Sequence, residues 1–375
     1  MAGVSVLDLA GLGALLDALH SRGYTVLGPT VRDGVITTGE VHTLEDLPRG
    51  VGDEQDAGHY RLRERGDDAI FGFAAPMQSA KQVFFPADEL IWRGRRTPDG
   101  AFDVGHAQSD PAPVALFGVR SCDLAAVGVH DAVLDRREFV DTRYQARRDG
   151  TFVVAASCAE PAGTCFCVSM DTGPKPTGGY DIALTEILDG EHRFLAEAGT
   201  PAGEEVLAEV PAQPADYDDV AAADEVIDQA RSRMGRTMRT DGLRDLLYAS
   251  AQSPHWEDVA NRCLACTNCT MVCPTCFCTS VEDVSDLTGD IDERHRVWDS
   301  CFSQEYSRLH TNFVRSTTAA RYRQWATHKL ASWQDQFGMS GCVGCGRCIA
   351  WCPAGIDITA EVAVLRGTAL REAKG

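Results

Sequence analysis

The chain has 375 residues and carries 55 acidic against 35 basic side chains, a formal net charge of −20. That balance argues against a nucleic-acid-binding surface or one that docks on anionic lipid, because both need clustered Lys and Arg. Fifteen cysteines in a chain that opens without the basic start of a signal peptide point to metal or redox chemistry rather than a disulfide framework. No stretch is long and apolar enough to span a bilayer, so the expected location is the cytoplasm.

In chain order, residues 5–22 form the first predicted helix, with Leu9, Leu12, Leu15, Leu16 and Leu19 on one apolar face. Strand-like runs follow at 24–29 (YTVLGP), 34–41 (GVITTGEV) and 82–86 (QVFFP). PVALFGV (113–119) is a predicted strand, DLAAVGVHDAVL (123–134) a helix, and REFVDTRYQARRDG a second helical stretch. TFVVAAS (151–157) is the next strand. Strand, helix and strand at this spacing predict a βαβ unit with parallel strands. From Gly203 to Ala230 there are nine acids and no Lys or Arg, with Pro211 and Pro214 inside, which predicts a linker or domain boundary near 205–220. The expected architecture is α+β. An N-terminal α/β domain with a partly parallel sheet (1–215) precedes a mostly helical, ferredoxin-like dicluster domain (216–375), interrupted by an insert at about 279–341. The later part of that insert, SRLHTNFVRSTTAARYRQWATHKLASW, reads as helical and basic.

The C-terminal region carries eleven of the fifteen cysteines. Two stretches, RCLACTNCTMVCPTC (262–276) and GCVGCGRCIAWCPAG (341–355), share the spacing C-x2-C-x2-C-x3-C-P. Structural zinc sites use two ligand pairs separated by a longer loop. Three cysteines at successive i+3 steps and a fourth before proline instead fit the bacterial ferredoxin pattern, in which the fourth cysteine ligates the other cluster. Cluster A is therefore expected on Cys263, Cys266, Cys269 and Cys352, and cluster B on Cys342, Cys345, Cys348 and Cys273. Both are 4Fe–4S clusters that carry single electrons at potentials set by charge, hydrogen bonds to sulfur and exposure.

Four more cysteines fall near one place. Cys122 follows the strand at 113–119, Cys158 follows the strand at 151–157, and Cys165 and Cys167 lie in the next loop. If those strands are parallel neighbours, the thiols meet at the carboxyl edge of the sheet, where open α/β sheets build their sites. Two readings stand for this set: a third 4Fe–4S cluster, or buried thiols packing as small hydrophobes. Cys276, Cys278 and Cys301 read as packing around the clusters; a further metal site there would need a fourth ligand such as His295 or His310. No HExxH pair and no phosphate-binding glycine loop occurs. His255, His295 and His328 read as surface or packing residues, and no catalytic residue is assigned. Arg308, Arg315, Arg321, Arg323 and Lys329 read as a solvated or packed basic face, the alternatives being charge relief for anionic clusters or a docking surface.

FGVRSCDLAAV, the CFC loop at Cys165–Cys167, VCPTCFC, WDSC and CVGCGRC occur here in one order. That order resembles the iron–sulfur beta subunit of soluble group 3 nickel–iron hydrogenases (sulfhydrogenases) and is similar to the iron–sulfur electron-transfer subunit of anaerobic sulfite reductase. The resemblance covers most of the chain, and the eight dicluster cysteines match it residue by residue. Cys122, Cys158, Cys165 and Cys167 also fall on its recurring positions. It implies an electron relay, not catalytic alone. Its partners would be a flavin- and NAD(P)-binding gamma-type subunit and the small and large subunits of a nickel–iron hydrogenase. In the alternative branch the partner would be a sulfite reductase catalytic subunit. A reading of a different class is an iron–sulfur redox sensor or scaffold.

Overall fold

The structure, a computed structural model, describes residues 4–106, 112–136 and 138–372. The chain opens with β1 (Val4–Leu7), α1 (Leu9–Ser21), and the strands β2 (Thr25–Arg32), β3 (Val35–Glu40), β4 (Val51–Asp56) and β5 (His59–Glu64). Then come α2 (Lys81–Phe84), β6 (Asp88–Arg96), β7 (Phe102–His106), β8 (Val114–Val119) and α3 (Ser121–Leu134). A small hairpin, β9 (Asp135–Arg136) and β10 (Phe139–Val140), leads to α4 (Thr142–Asp149) and β11 (Thr151–Ala156). The N-terminal half closes with β12 (Ile182–Ile187), β13 (Arg193–Ala198), α5 (Pro201–Ala208), β14 (Gln213–Pro214) and α6 (Tyr217–Ser232).

These strands build an eight-stranded sheet in the order β14-β1-β13-β12-β11-β8-β2-β3. Its centre, β2-β8-β11-β12, is parallel, and the flanks are antiparallel. The βαβ unit is present as β8–α3–β11. Apart from Thr151 at the start of β11, its strands are apolar, as expected of strands covered on both faces. Asp8 caps α1 by accepting from the Gly11 amide at 2.7 Å, and Leu12, Leu15, Leu16 and Leu19 are buried in the main core.

Three local expectations change. QVFFP is a helical turn, α2, not a strand: Lys81 and Phe84, three residues apart, are its buried positions. The helical stretch predicted from Arg137 starts later, at Thr142, after the hairpin; Arg137 itself lies outside the described residues. The acidic stretch read as a linker is mostly helix. In α6, Asp216 and Asp219 form a reciprocal capping box, so acids cluster where the amide ends of the helix favour them.

The C-terminal half is helical: α7 (Leu243–Ala249), α8 (His255–Arg262), α9 (Asn268–Met271), α10 (Thr318–Thr327), α11 (Trp333–Phe337), α12 (Arg347–Ala350) and α13 (Ile358–Glu372). A π-helical turn, His328–Ser332, joins α10 to α11. The insert begins with a hairpin, β15 (Thr279–Ser285) and β16 (Ile291–Trp298). It pairs with the earlier strands in a second, antiparallel sheet, β15-β16-β6-β7, so the two halves share one sheet.

Candidate metal centres

Three thiol-lined cavities lie in a row. Cavity A is bounded by Cys263, Cys266, Cys269 and Cys352, the set expected for cluster A. Cys263 and Cys266 come from the loop between α8 and α9, Cys269 from α9 itself, and Cys352 from the loop after α12. Ala265 and Thr267 adopt left-handed conformations (φ of 50° and 69°), which wraps the loop around the cavity. Backbone amides turn toward the sulfurs: Ala265 N donates to Cys263 Sγ and Ile356 N to Cys352 Sγ, both at 3.4 Å. Phe302, Tyr322, Trp325 and Ile356 form the apolar wall. The Tyr322 hydroxyl and the Trp325 indole N–H are buried without a partner. Buried donors are costly unless satisfied, and a cluster in this cavity offers sulfur acceptors to them. Cys266 is exposed, and the neighbouring Leu264 is 68% exposed, so this cavity has a face toward solvent.

Cavity B is bounded by Cys342, Cys345 and Cys348 with Cys273 from the other motif, the set expected for cluster B. Phe166, Val343, Trp325 and Ile358 close it. Cys348 borders both A and B. The loop 342–346 packs tightly on the loop 164–167. A Cβ at Gly344 would lie 2.6 Å from the Phe166 carbonyl oxygen, and one at Gly346 2.5 Å from that of Thr164. Both glycines also have positive φ, so only glycine fits.

Cavity C is bounded by Cys122, Cys158, Cys165 and Cys167, and also by Cys345 of cavity B. Strands β8 and β11 are parallel neighbours, so Cys122 and Cys158 leave the same sheet edge. Arg120, 1% exposed, fixes that edge by donating to the carbonyls of Ser157, Phe71 and Phe73 at 2.7–2.9 Å. Burial pushes all four thiols above their usual range, Cys167 to about 12. A reactive redox thiol needs the opposite, a stabilised thiolate. Metal binding replaces such protons outright. Among the described residues, no group of three or more Cys, His, Asp or Glu closes to the spacing of a single metal ion. The thiols instead surround voids, as a polynuclear cluster needs.

Arg347, within the second motif, reaches the first turn of α3. Its guanidinium grips Asp123 at 2.7 and 2.8 Å, and it also donates to the Gln78 carbonyl at 3.2 Å. Burial opposes its charge, but Asp123 together with the Cys345 and Cys122 thiols holds the group well above its ordinary value.

The basic face proves to be packed rather than solvated at two positions: Arg321 is 7% and Lys329 4% exposed. Lys329 Nζ donates to Cys273 Sγ at 3.0 Å and to Thr275 Oγ1 at 2.8 Å. Burial opposes its charge, yet the surrounding thiols, Cys273 foremost, hold it well above the usual lysine value. Lys81 is also buried. Its Nζ donates to the carbonyls of Cys276 (3.3 Å) and Met271 (3.4 Å) and lies 3.5 Å from the centre of the Trp298 ring. Burial lowers it to about 8, against the opposing pull of the Cys276 and Cys273 thiols. The sequence reading missed Lys81. One signal was available: only four of the 35 basic residues are lysines.

Cys276, Cys278 and Cys301 are part-buried beside these groups, and Cys301 packs on the helical core. His295 bonds Asp88 and Glu293 instead of these cysteines. His255 pairs with Glu361, and His328 packs against Phe277 and Trp333.

Comparison with known proteins agrees with this architecture. Residues 262–356 match the 4Fe–4S dicluster domain. The chain is 34% identical over 323 residues to sulfhydrogenase 2 subunit beta of Pyrococcus furiosus, covering 84% of this chain and 91% of that one. The chain belongs to the sulfhydrogenase beta subunit family. It is an iron–sulfur electron-transfer protein of the hydrogenase-subunit type with 4Fe–4S clusters. No solved structure matches it. No described helix of this family member is long and apolar enough to cross a membrane.

Proposed function

We propose that this chain is the cytoplasmic electron relay of a hydrogenase complex, carrying electrons one at a time between a flavin- and NAD(P)-binding partner and a nickel–iron core. The observation that carries the reading is the row of three cavities: Cys348 borders A and B, and Cys345 borders B and C. Clusters in such a row store and pass single electrons without a substrate pocket. In this reading Cys263, Cys266, Cys269 and Cys352 hold cluster A; Cys342, Cys345, Cys348 and Cys273 hold cluster B; and Cys122, Cys158, Cys165 and Cys167 hold a third. The exposed rim at Leu264 and Cys266 is one terminus of the wire, where a redox partner approaches. The N-terminal α/β unit (1–215) then belongs to the wire as much as the dicluster unit (216–375) does. The similarity to a sulfhydrogenase subunit supports the hydrogenase branch over the sulfite reductase branch.

The test is iron and acid-labile sulfide on anaerobically purified protein, with EPR of the dithionite-reduced state. About twelve irons per chain are expected, whereas about eight would remove the third cluster. Zinc without sulfide would overturn the reading. The lone chain should neither evolve hydrogen nor reduce a nicotinamide, and substantial turnover of either would refute the relay assignment.

A further inference from the structure

The chain meets its need for positive charge almost wholly with arginine, and has only four lysines. Two of those four, Lys81 and Lys329, are buried at the same place, against the segment 271–276. A buried ammonium is costly unless its surroundings repay it. Among the described residues, no carboxylate pairs with either lysine. Lys329 directs its Nζ to the sulfur of Cys273, with Thr275 Oγ1 as a second acceptor. Thr275 is itself fixed, donating to the Gly341 carbonyl at 2.8 Å. Lys329 sits in the π-helical turn His328–Ser332, and its own carbonyl accepts from Gly341 N at 2.8 Å. Such turns insert an extra residue into a helix and recur at functional sites. Here the turn carries a basic side chain into cavity B, which Lys329 lines.

We propose that Lys329 tunes cluster B, raising its reduction potential by a direct N–H···S bond to the Cys273 ligand. The inference rests on the proposed reading that Cys273 ligates cluster B. Reduction adds one negative charge to a cluster. A hydrogen bond to ligand sulfur and a nearby positive charge both favour the more negative form, so both raise the potential. Lysine suits the role because its ammonium is a compact point donor, whereas the planar fork of arginine matches carboxylates. Lys81 bonds only to backbone carbonyls and acts at longer range.

The experiment is an EPR-monitored redox titration of the anaerobic full-length chain as wild type, Lys329→Met and Lys81→Met, with iron and sulfide counted in each. Lys329→Met removes donor and charge at similar length. At a fixed poise it should lower the reduced-to-oxidised ratio of one cluster at least tenfold, a shift of about 59 mV for a one-electron couple. Lys81→Met should shift it less. Full iron and sulfide with unchanged midpoints in Lys329→Met would overturn the proposal while leaving the relay reading intact. An equal shift from Lys81→Met would overturn the role of the direct bond. Absence of iron–sulfide clusters from the wild type would overturn the reading underneath. If Lys329→Met fails to assemble, wild-type protein with isotopically labelled lysine nitrogen decides. A resolved nitrogen coupling to a reduced cluster supports the bond, and its absence overturns it.

Discussion

The ion pair Arg347–Asp123 joins the second cysteine motif to the helix that begins beside Cys122. Arg347 is 0% and Asp123 5% exposed, and two hydrogen bonds of 2.7 and 2.8 Å link them. Breaking a buried pair from one side leaves an uncompensated charge and costs about 3–5 kcal/mol. Asp123→Ala should therefore destabilise strongly, because the remaining backbone acceptors hydrogen-bond the guanidinium without cancelling its charge. With a urea m-value of about 3 kcal/mol/M, the unfolding midpoint of the anaerobic holoprotein should fall by about 1–1.7 M. Arg347→Met should do the same by stranding the carboxylate. The double variant Asp123→Leu/Arg347→Met should recover much of the loss, since buried pairs are often replaceable by apolar residues. A double-mutant cycle on urea midpoints measures the coupling directly. Single variants within about 0.3 M of wild type, or a double variant as weak as the sum of the singles, would refute the pair as the link between the two loops.

Three other outcomes follow from the geometry. Gly346→Ala places a Cβ against the Thr164 carbonyl at a φ of +75°, so it should cost at least about 1–3 kcal/mol and loosen cavity B from the 164–167 loop, seen as lower iron retention during gel filtration. Cys158→Ser touches only the third set, so iron should fall from about twelve to about eight per chain while the dicluster EPR signals persist. Burial lowers His328 from 6.5 to about 4, with Lys329 and Arg315 adding to the effect. The unfolded chain therefore binds more protons in that window, and stability should fall as pH drops from about 6.5 to 4. His328→Phe should flatten that part of the pH–Tm curve, and an unchanged slope would assign it to other groups.

The parts of this molecule that were legible in the sequence are those whose signal is local. The strands at 114–119 and 151–156 are continuous apolar runs around a helix of fitting length, and they pair as parallel neighbours. The cysteine spacing grouped two sets of four that the structure brings to the walls of cavities A and B, because a repeated i+3 pattern places its side chains on one side of a loop. What failed was decided by tertiary surroundings. QVFFP has strand-forming residues, but the turn around it follows from packing Phe84 and Lys81 inward. The acids around the start of α6 looked like a linker because charge resembles solvent exposure, whereas two of them, Asp216 and Asp219, form its capping box. Lys329 was read with a basic face since nothing near it in sequence announces Cys273, 56 residues earlier. The hairpin β15–β16 pairs with β6 about 200 residues away, a distance no local pattern spans.

The contact between the loops 164–167 and 342–346 bears on how the protein is made. Cys165 and Cys345, 180 residues apart, meet at the wall of cavity C, and Asp123 and Arg347, 224 apart, form a buried pair. Contacts of such separation form late, because the loop-closure entropy must be overcome before they contribute anything. In the proposed assignment clusters A and B each take cysteines from both motifs, and the inserted hairpin lies between those motifs in the sequence. For these two cavities a nascent chain would therefore offer iron only incomplete triads of thiols until the last motif docks, whereas the four thiols of cavity C all lie in the N-terminal half. Maturation of this wire is a problem of timing: delivery of clusters A and B has to wait for the two cysteine motifs to meet.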